Sequence, residues 1–200
     1  MKGSERLALL SAIADDTSRA PHSMPGWYYN DPDMFQQEKA ALFYAEWVCA
    51  GHSSELASKG SYLTVTIGDE PVLVLRDREG RVRAYSNICR HRGMTLMTGK
   101  GRAAVLTCPY HAWSYHLDGS LNKAPLMDEV DGFDEAACSL PEFAVEEWLG
   151  FIFVNISGDA APLAPRLAGL EPFLRNYHAD ERHSTDTWFE EWQTNWKALV

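Results

Sequence analysis

Two short stretches of the sequence combine cysteine with histidine. "NICRHRG" contains Cys89 and His91, and "CPYHAW" contains Cys108 and His111, with sixteen residues between the two pairs. Thiolates and imidazoles are the ligands of zinc sites and of some iron–sulfur clusters. A Cys/His pair can also act as a nucleophile with its base. The residue types therefore leave three alternatives, which are a zinc site, a nucleophilic site and a cluster that transfers electrons.

The distribution of the four residues separates these alternatives. A structural zinc site usually takes both cysteines from one stretch and both histidines from the next. Here each stretch supplies one of each, as expected if one iron of a Rieske [2Fe–2S] centre binds both thiolates and the other binds both imidazoles. A nucleophilic pair needs no duplicated set, and no third group that would orient the base is evident.

The full pattern resembles the Rieske motif, with Arg92-Gly93 after the first histidine and Pro109-Tyr110 inside the second pair. More narrowly, "CRHRG" and "CPYHAWSYHLDGSL" resemble the α subunits of Rieske non-haem iron ring-hydroxylating oxygenases. The similarity runs from about residue 28 to "NWKALV" at the end of the sequence. Ala112 is a small departure, because the family more often has glycine there.

The resemblance implies a ligand set and a mechanism. Cys89 and Cys108 are expected to bind a buried iron, and His91 and His111 an outer one. In the family, a flavin-dependent NAD(P)H reductase, directly or through a ferredoxin, reduces this cluster. The cluster then passes single electrons to a mononuclear Fe(II) of a neighbouring subunit, where one or both atoms of O₂ enter an organic substrate. A homotrimer or an α3β3 assembly is expected, and the substrate is left open between arenes and quaternary-ammonium compounds such as betaines.

The residues around the motif also bear on the reduction potential. Respiratory Rieske proteins carry an additional cysteine in each loop and a serine that donates to a sulfide, whereas the corresponding places here hold Met94, Tyr110 and Trp113. Fewer hydrogen-bond donors stabilise the reduced cluster less, so we expect a potential near the low end, about −150 mV.

A second histidine pair, His178 and His183, has the His-x₄-His spacing of the family's mononuclear iron site. The family's pair follows the "NWK" segment, with an acidic residue three positions before the first histidine. Here the pair precedes that segment, and Arg175 occupies the acidic position. We therefore interpret these as surface histidines, expect no catalytic residue in the given chain, and expect the mononuclear iron in a further C-terminal part.

Basic residues gather around the motif: Arg90, Arg92, Lys100 and Arg102. One interpretation is solvated loop charges, with Arg92 partly structural. The other is a docking patch for an acidic ferredoxin or reductase, formed by Arg90 and Arg92 with Trp113 as an apolar contact.

Composition limits the class of protein. The 200 residues are 46% hydrophobic and 23% charged, which indicates a folded core, and the net charge of −10 argues against general nucleic-acid binding. No apolar run is long enough to cross a bilayer, and the N-terminus does not resemble an export signal. We therefore expect a cytoplasmic protein with no membrane contact, in which Cys49 and Cys138 are ordinary buried thiols.

The elements that must position the motif are mainly β-strands. Residues 1–44 are predicted as a helical segment, with Asp31 capping a helix that starts at Pro32 and ends before Gly51. Residues 45–157 alternate with a period of two and contain several turns, which predicts a small antiparallel β-sandwich, the Rieske domain. Residues 158–200 are predicted as a linker and the start of an α+β catalytic domain, with a strand in "STDTWFEEWQT" and a helix beginning at "NWKALV".

Two other classes of protein remain open. A stand-alone Rieske ferredoxin would carry electrons without catalysis, but would leave the N-terminal helix and the tryptophan-rich tail without a purpose. A zinc-binding structural module would give no visible absorption, whereas a reduced Rieske cluster gives a rhombic EPR signal.

Overall fold

The computed structural model describes residues 3–15, 23–127, 130–188 and 190–199. The chain divides into two compact units, which are Met1–Glu38 with Phe189–Val200, and Lys39–Trp188. No helix among the described residues is long and apolar enough to span a bilayer.

The larger unit contains ten strands in two antiparallel sheets. They are β1 Val48–His52, β2 Ser61–Ile67, β3 Glu70–Arg76, β4 Val82–Ser86, β5 Lys100–Arg102, β6 Leu106–Thr107, β7 Ser114–Tyr115, β8 Leu121–Lys123, β9 Glu142–Trp148 and β10 Phe151–Asn155. Seven strands form one sheet in the order β1-β10-β9-β4-β3-β2-β5, and three form the other in the order β6-β7-β8. The prediction of a mainly β, antiparallel fold is confirmed.

Strand β3 explains why the sequence contains the continuous apolar run "VLVL". Successive side chains of a strand point to opposite faces, so β3 serves two cores at once. Val72 and Val74 belong to one buried cluster, and Leu73 and Leu75 belong to the other, which also contains the two motif cysteines. Strand β3 is thus buried on both faces, and one of these faces packs in the same core as the two motif cysteines.

Short helices complete the larger unit: a π-helix at Lys39–Phe43, α4 Leu163–Leu167 and α5 Glu171–Leu174, with 3₁₀ turns at Ser53–Leu56, Ala136–Cys138, Arg175–Tyr177 and Ala179–Glu181. Two hairpins turn at glycines, since β7 and β8 are joined through Asp118-Gly119 and β9 and β10 are joined near Gly150.

The smaller unit contains α1 Gly3–Asp15, α2 Trp27–Asn30, α3 Pro32–Glu38 and a 3₁₀ turn at Trp196–Ala198. The predicted helix start is confirmed, because Pro32 is the first residue of α3 and Asp31 accepts a hydrogen bond from the backbone N–H of Met34 at 3.0 Å. Asp31 also pairs with Arg6 at 2.8 Å.

A buried ion pair joins the two ends of the smaller unit. Lys197 Nζ lies 2.6 Å from Glu38 Oε1, and both side chains are almost fully buried. The two atoms are close enough for an ion pair, although their angles do not suit a hydrogen bond. Trp196 donates its ring N–H to the other oxygen of Glu38 at 3.0 Å, and the ring of Tyr28 lies 4.7 Å from the ammonium.

Several sequence predictions about helix ends, burial and the C-terminal segment are wrong. The helix that was predicted to run from Pro32 to just before Gly51 ends at Phe43, since β1 begins at Val48 and pairs with β10. Cys49 is exposed because β1 is the edge strand of its sheet, and Cys138 is only partly buried. "STDTWFEEWQT" forms no strand in its described residues, and the turn at Trp196–Ala198 is 3₁₀.

Candidate metal centre

The first motif loop follows β4 and is closed by its own backbone. The N–H of Cys89 donates to the carbonyl of Met94 at 2.8 Å, and the N–H of Gly93 donates to the carbonyl of Cys89 at 3.0 Å. An isolated bridge between Ile88 and Thr95 brings the two arms together. The loop is a hairpin only locally, because β4 and β5, which flank it, pair with other strands.

The second loop joins the paired strands β6 and β7 and repeats the same pattern. The N–H of Cys108 donates to the carbonyl of Trp113 at 2.8 Å, and the N–H of Ala112 donates to the carbonyl of Cys108 at 3.2 Å. Each loop therefore presents a cysteine at its start and closes around the residue four positions later. Gly93 and Ala112 occupy this position, with φ of +71° and +56°.

The two thiols lie in the core. Cys89 is 2% exposed and Cys108 is 3% exposed, and both pack in one cluster with Leu106 and other apolar side chains. Burial raises the pKa of Cys89, and the nearby Cys108 thiol raises it further, although hydrogen bonds lower it in part. A pair of thiolates in this position would need a positive charge beside it, which a metal ion supplies.

The two imidazoles lie beside each other and are only partly buried. The ring centroids of His91 and His111 are 4.8 Å apart, with an angle of 68° between the planes. Burial lowers the pKa of His91, and the neighbouring His111 and Arg92 lower it further, which favours the neutral imidazole that metal binding requires. Nδ1 of His111 is buried and makes no hydrogen bond within the described part of the chain.

This orphaned nitrogen is the strongest sign that something binds between the loops. A buried polar atom that lacks a partner is costly, and a metal bond would compensate for it. No group of three or more His, Cys, Asp or Glu among the described residues is arranged around a single ion. A binuclear [2Fe–2S] cluster needs only two side chains per iron, so two buried thiols and two adjacent imidazoles fit it better than they fit one tetrahedral zinc.

Trp113 is placed differently from what the sequence suggested. Its ring stacks on His91, with centroids 4.8 Å apart and planes 6° from parallel, and it contacts the edge of Phe133 at 5.8 Å. Only 4% of the residue is exposed. The expected role as an apolar contact for a partner is therefore corrected, because the ring is part of the core and supports a candidate ligand.

Tyr115 is a residue of the site that sequence reasoning missed. Its hydroxyl oxygen lies 3.3 Å from Cys89 Sγ and accepts the backbone N–H of Arg90 at 2.9 Å. Burial raises the pKa of Tyr115, so the O–H persists and can donate to a thiolate. The signal was the alternation in "WSY", which turns Tyr115 to the inner face of β7, but its partner on another loop could not be read from the sequence.

The four basic residues of the predicted group do not share one environment. Arg90 and Arg92 are exposed on the first loop, where they stay a predicted docking patch. Lys100 forms an ion pair with Glu55, and Arg102 donates its Nε–H to the carbonyl of Lys59 at 3.0 Å.

The His178 and His183 pair is exposed, as predicted. His178 has a left-handed backbone with φ of +48°, and its Nδ1 lies 3.6 Å from Glu181. Neither histidine belongs to a group of three possible metal ligands in the residues that the structure covers.

Comparison with known proteins agrees with this geometry. A family model for the Rieske [2Fe–2S] domain matches residues 46–140. The chain is 40% identical over 199 residues to the glycine betaine monooxygenase oxygenase subunit of Chromohalobacter salexigens. The aligned region covers 96% of this chain and 44% of that protein. The resemblance drawn from the motifs is thereby confirmed.

Solved structures give the same result. The quaternary ammonium Rieske monooxygenase CntA in complex with gamma-butyrobetaine superposes with a TM-score of 0.84 at 35% identity, over 88% of this chain and 52% of that one. Naphthalene 1,2-dioxygenase from Rhodococcus sp. gives a TM-score of 0.76 at 28% identity, over 86% and 40%. The chain thus spans about half or less of the length of these relatives.

Proposed function

Because residues 46–140 belong to the Rieske [2Fe–2S] domain family and the chain is homologous to the oxygenase subunits of Rieske oxygenases, we propose that it is the electron-accepting part of such a subunit. Cys89 and Cys108 hold one iron, and His91 and His111 hold the other. The observation that carries the assignment is the pair of matched loops, with two thiols in the core and an unpartnered, buried Nδ1 on His111.

Each ligand pair suits its role. When bound, a Rieske cluster accepts and releases one electron at a time. The thiols are shielded from water by the core, whereas the imidazoles are partly exposed. The histidine side is therefore the side at which an electron enters or leaves with the shortest path through protein. To a Cys89 thiolate the Tyr115 hydroxyl, 3.3 Å away, would donate a hydrogen bond that stabilises negative charge on the sulfur.

An oxygenase subunit is favoured over a stand-alone electron carrier. A carrier would correspond to the matched domain alone, at residues 46–140, whereas the similarity to the glycine betaine enzyme covers 96% of the chain. The complete protein would then carry a mononuclear Fe(II) that activates O₂, receive electrons from a reductase or ferredoxin, and assemble as a trimer. Arg90 and Arg92 would meet the acidic face of that electron donor.

A quaternary-ammonium compound is the substrate class that the relatives favour. The glycine betaine enzyme and the CntA structure are 40% and 35% identical to this chain, whereas two naphthalene 1,2-dioxygenase structures are 32% and 28% identical. We therefore propose oxidation of a betaine-like or carnitine-like molecule by the complete enzyme rather than hydroxylation of an arene.

The cluster assignment is tested by reconstituting the chain anaerobically with iron and sulfide. We expect about two irons and about two acid-labile sulfides per chain, together with the rhombic EPR signal of a reduced Rieske centre. The variant Cys89→Ser should lose the bound iron and sulfide together with the EPR signal. Cys138→Ser is the matched control, since this thiol packs against the same core outside the two loops. Colourless, iron-free protein after reconstitution would refute the proposal.

A further inference from the structure

A second feature of the larger unit is an open depression of about 420 Å³ with three cationic side chains around it. We call it the basic hollow. It is lined by Lys59, Arg78, Arg102, Ala103, Ala104 and Leu117. Lys59 lies in the loop before β2, Arg78 lies in the loop after β3, and Arg102 is the last residue of β5. Leu117 is buried and, with the adjoining alanines, gives the hollow an apolar floor.

These cations have no ionic partner in the described part of the chain. No carboxylate there lies within 4.0 Å of the charged nitrogens of Lys59, Arg78 or Arg102. By contrast, Arg81, just before β4, and Arg83, within β4, each pair with Asp77. In a chain with 28 acidic and 18 basic residues, three unpaired cations around one hollow are a local reversal of the net charge.

Both guanidinium groups of the hollow are hydrogen-bonded to backbone carbonyls. Arg102 donates its Nε–H to the carbonyl of Lys59 at 3.0 Å, and Arg78 donates an Nη2–H to the carbonyl of Ala104 at 3.3 Å. Each guanidinium has five N–H donors, so most of them remain for a ligand. Since a hydrogen bond to the backbone already restrains each of these side chains, binding costs less conformational entropy than it would for unrestrained arginines.

The loops themselves are fixed to each other. The N–H of Gly60 donates to the carbonyl of Arg76 at 2.8 Å, and the N–H of Ala103 donates to the carbonyl of Gly60 at 2.9 Å. Gly60 has φ of +83°, and a Cβ there would lie 2.3 Å from the carbonyl oxygen of Ala103. The close approach of these two loops therefore requires glycine, and it holds Lys59 beside Arg102.

Acidic side chains border the hollow but are engaged elsewhere. Glu79 and Asp118 line an adjoining depression that shares Arg78 and Leu117. Glu79 accepts a hydrogen bond from Arg81 at 3.3 Å. Asp118 accepts both the backbone N–H and the hydroxyl of Ser120, at 3.0 and 2.6 Å. They moderate the positive potential on the side of Arg78 without neutralising the hollow.

We propose that the basic hollow binds a small multivalent oxyanion, either a phosphate-bearing molecule or a polycarboxylate. Guanidinium forks match the oxygen geometry of phosphate and carboxylate groups, and three positive charges favour a ligand that carries more than one negative charge. The floor of alanine and leucine side chains accommodates the carbon or phosphorus skeleton between the charges. The site lies outside the two cluster loops, and its function does not depend on the cluster.

Isothermal titration calorimetry of the full chain with pyrophosphate and with citrate tests the proposal, at constant ionic strength set with sodium chloride. We expect saturable binding of at least one of them, with one site per chain. Tighter binding of pyrophosphate would identify phosphate as the natural chemistry, and tighter binding of citrate would identify carboxylate. The double variant Arg78→Gln/Arg102→Gln should weaken binding at least tenfold, because charge-assisted hydrogen bonds are lost.

Arg182→Gln is the matched control. Arg182 is also exposed, has no ion-pair partner in the described residues, and donates its Nε–H to a backbone carbonyl, that of Tyr177, at 3.1 Å. Its replacement should leave the affinity unchanged, and Arg102→Lys should lose less than Arg102→Gln. Failure of both anions to saturate, or an equal loss in the Arg182 control, would overturn the proposal. Neither result bears on the cluster, which is assayed by iron content and EPR.

Discussion

The two motif loops have the same backbone hydrogen-bond pattern but differ in the burial of their side chains. In the first loop, Arg90, Arg92 and Met94 all point to solvent. In the second, the residue that closes the loop, Trp113, is buried, and Tyr115 follows it into β7. The two loops thus present their candidate metal ligands in equivalent positions. The buried side chains that pack against those ligands come mainly from the second loop.

The support from the second loop reaches across to the first. Trp113 stacks on His91, and Tyr115 contacts Cys89 and the backbone of Arg90. Among the described residues, no hydroxyl of the first loop is hydrogen-bonded to Cys108 as that of Tyr115 is to Cys89. The comparison teaches that the ligand positions are symmetric and the packing that orients them is not, so mutations in the second loop should affect both.

The largest effect is expected from Trp113→Ala. The change removes a buried indole and leaves a cavity beside His91, which should lower the free energy of unfolding by about 3–5 kcal/mol. Urea denaturation of the folded chain measures this. Tyr110→Ala, which alters a residue that is 59% exposed, should have little effect. Equal losses in the two variants would contradict the asymmetry.

Tyr115→Phe should have a smaller effect on stability and a specific effect on the cluster. It leaves the N–H of Arg90 without its acceptor, which costs about 1–3 kcal/mol. It also removes a donor to the Cys89 sulfur, so the reduction potential of the reconstituted protein should fall. Tyr85→Phe is the control, because Tyr85 belongs to the same core but its hydroxyl lies 3.5 Å from the carbonyl of Leu117. A potential that is unchanged in Tyr115→Phe would refute this role.

The equivalent positions Gly93 and Ala112 permit a reciprocal exchange. A left-handed conformation costs a residue with a Cβ about 1–2 kcal/mol. Ala112→Gly should therefore raise the free energy of unfolding by about 1 kcal/mol, reduced by the greater chain entropy of glycine in the unfolded state, and Gly93→Ala should lower it by a similar amount. Thermal unfolding of both variants measures the changes, and the idea fails if they have the same sign.

The smallest effect is a pH dependence in the protein without cluster. The pKa of His91 is lowered in the folded state, so between that value and the ordinary value of about 6.5 the unfolded chain binds more protons. Stability should therefore fall as the pH falls through about 6.5, and it should reach a plateau below the folded pKa. His91→Gln should remove this component in parallel denaturation curves. A pH dependence identical to that of the unmodified chain would count against it.

The sequence was sufficient to identify the Rieske family and to predict most of the strands. The ligand spacing, the period of two in β2, and the turn residues at Asp118-Gly119 act locally, so they can be read along the chain. The same holds for the helix start at Asp31 and Pro32. The departure at Ala112 was also visible, and the positive φ at that position explains why glycine is more common there.

The errors arose where partners are distant in sequence. Residues 48–50 were predicted as helix because the pairing of β1 with β10, about a hundred residues later, cannot be seen locally. Trp113 was predicted to be an exposed contact because the sequence of a polar loop does not reveal that its aromatic ring stacks on His91.

By itself, the sequence determined which atoms can bind metal, since two Cys/His pairs at this spacing suit a Rieske cluster whatever surrounds them. Only the tertiary structure decided how those atoms are held: the buried thiols, the orphaned Nδ1 of His111, and the tyrosine that reaches the opposite loop. It also decided where three cations from separate loops meet. Ligand chemistry belongs to single side chains, whereas orientation, burial and charge clustering depend on contacts that only folding creates.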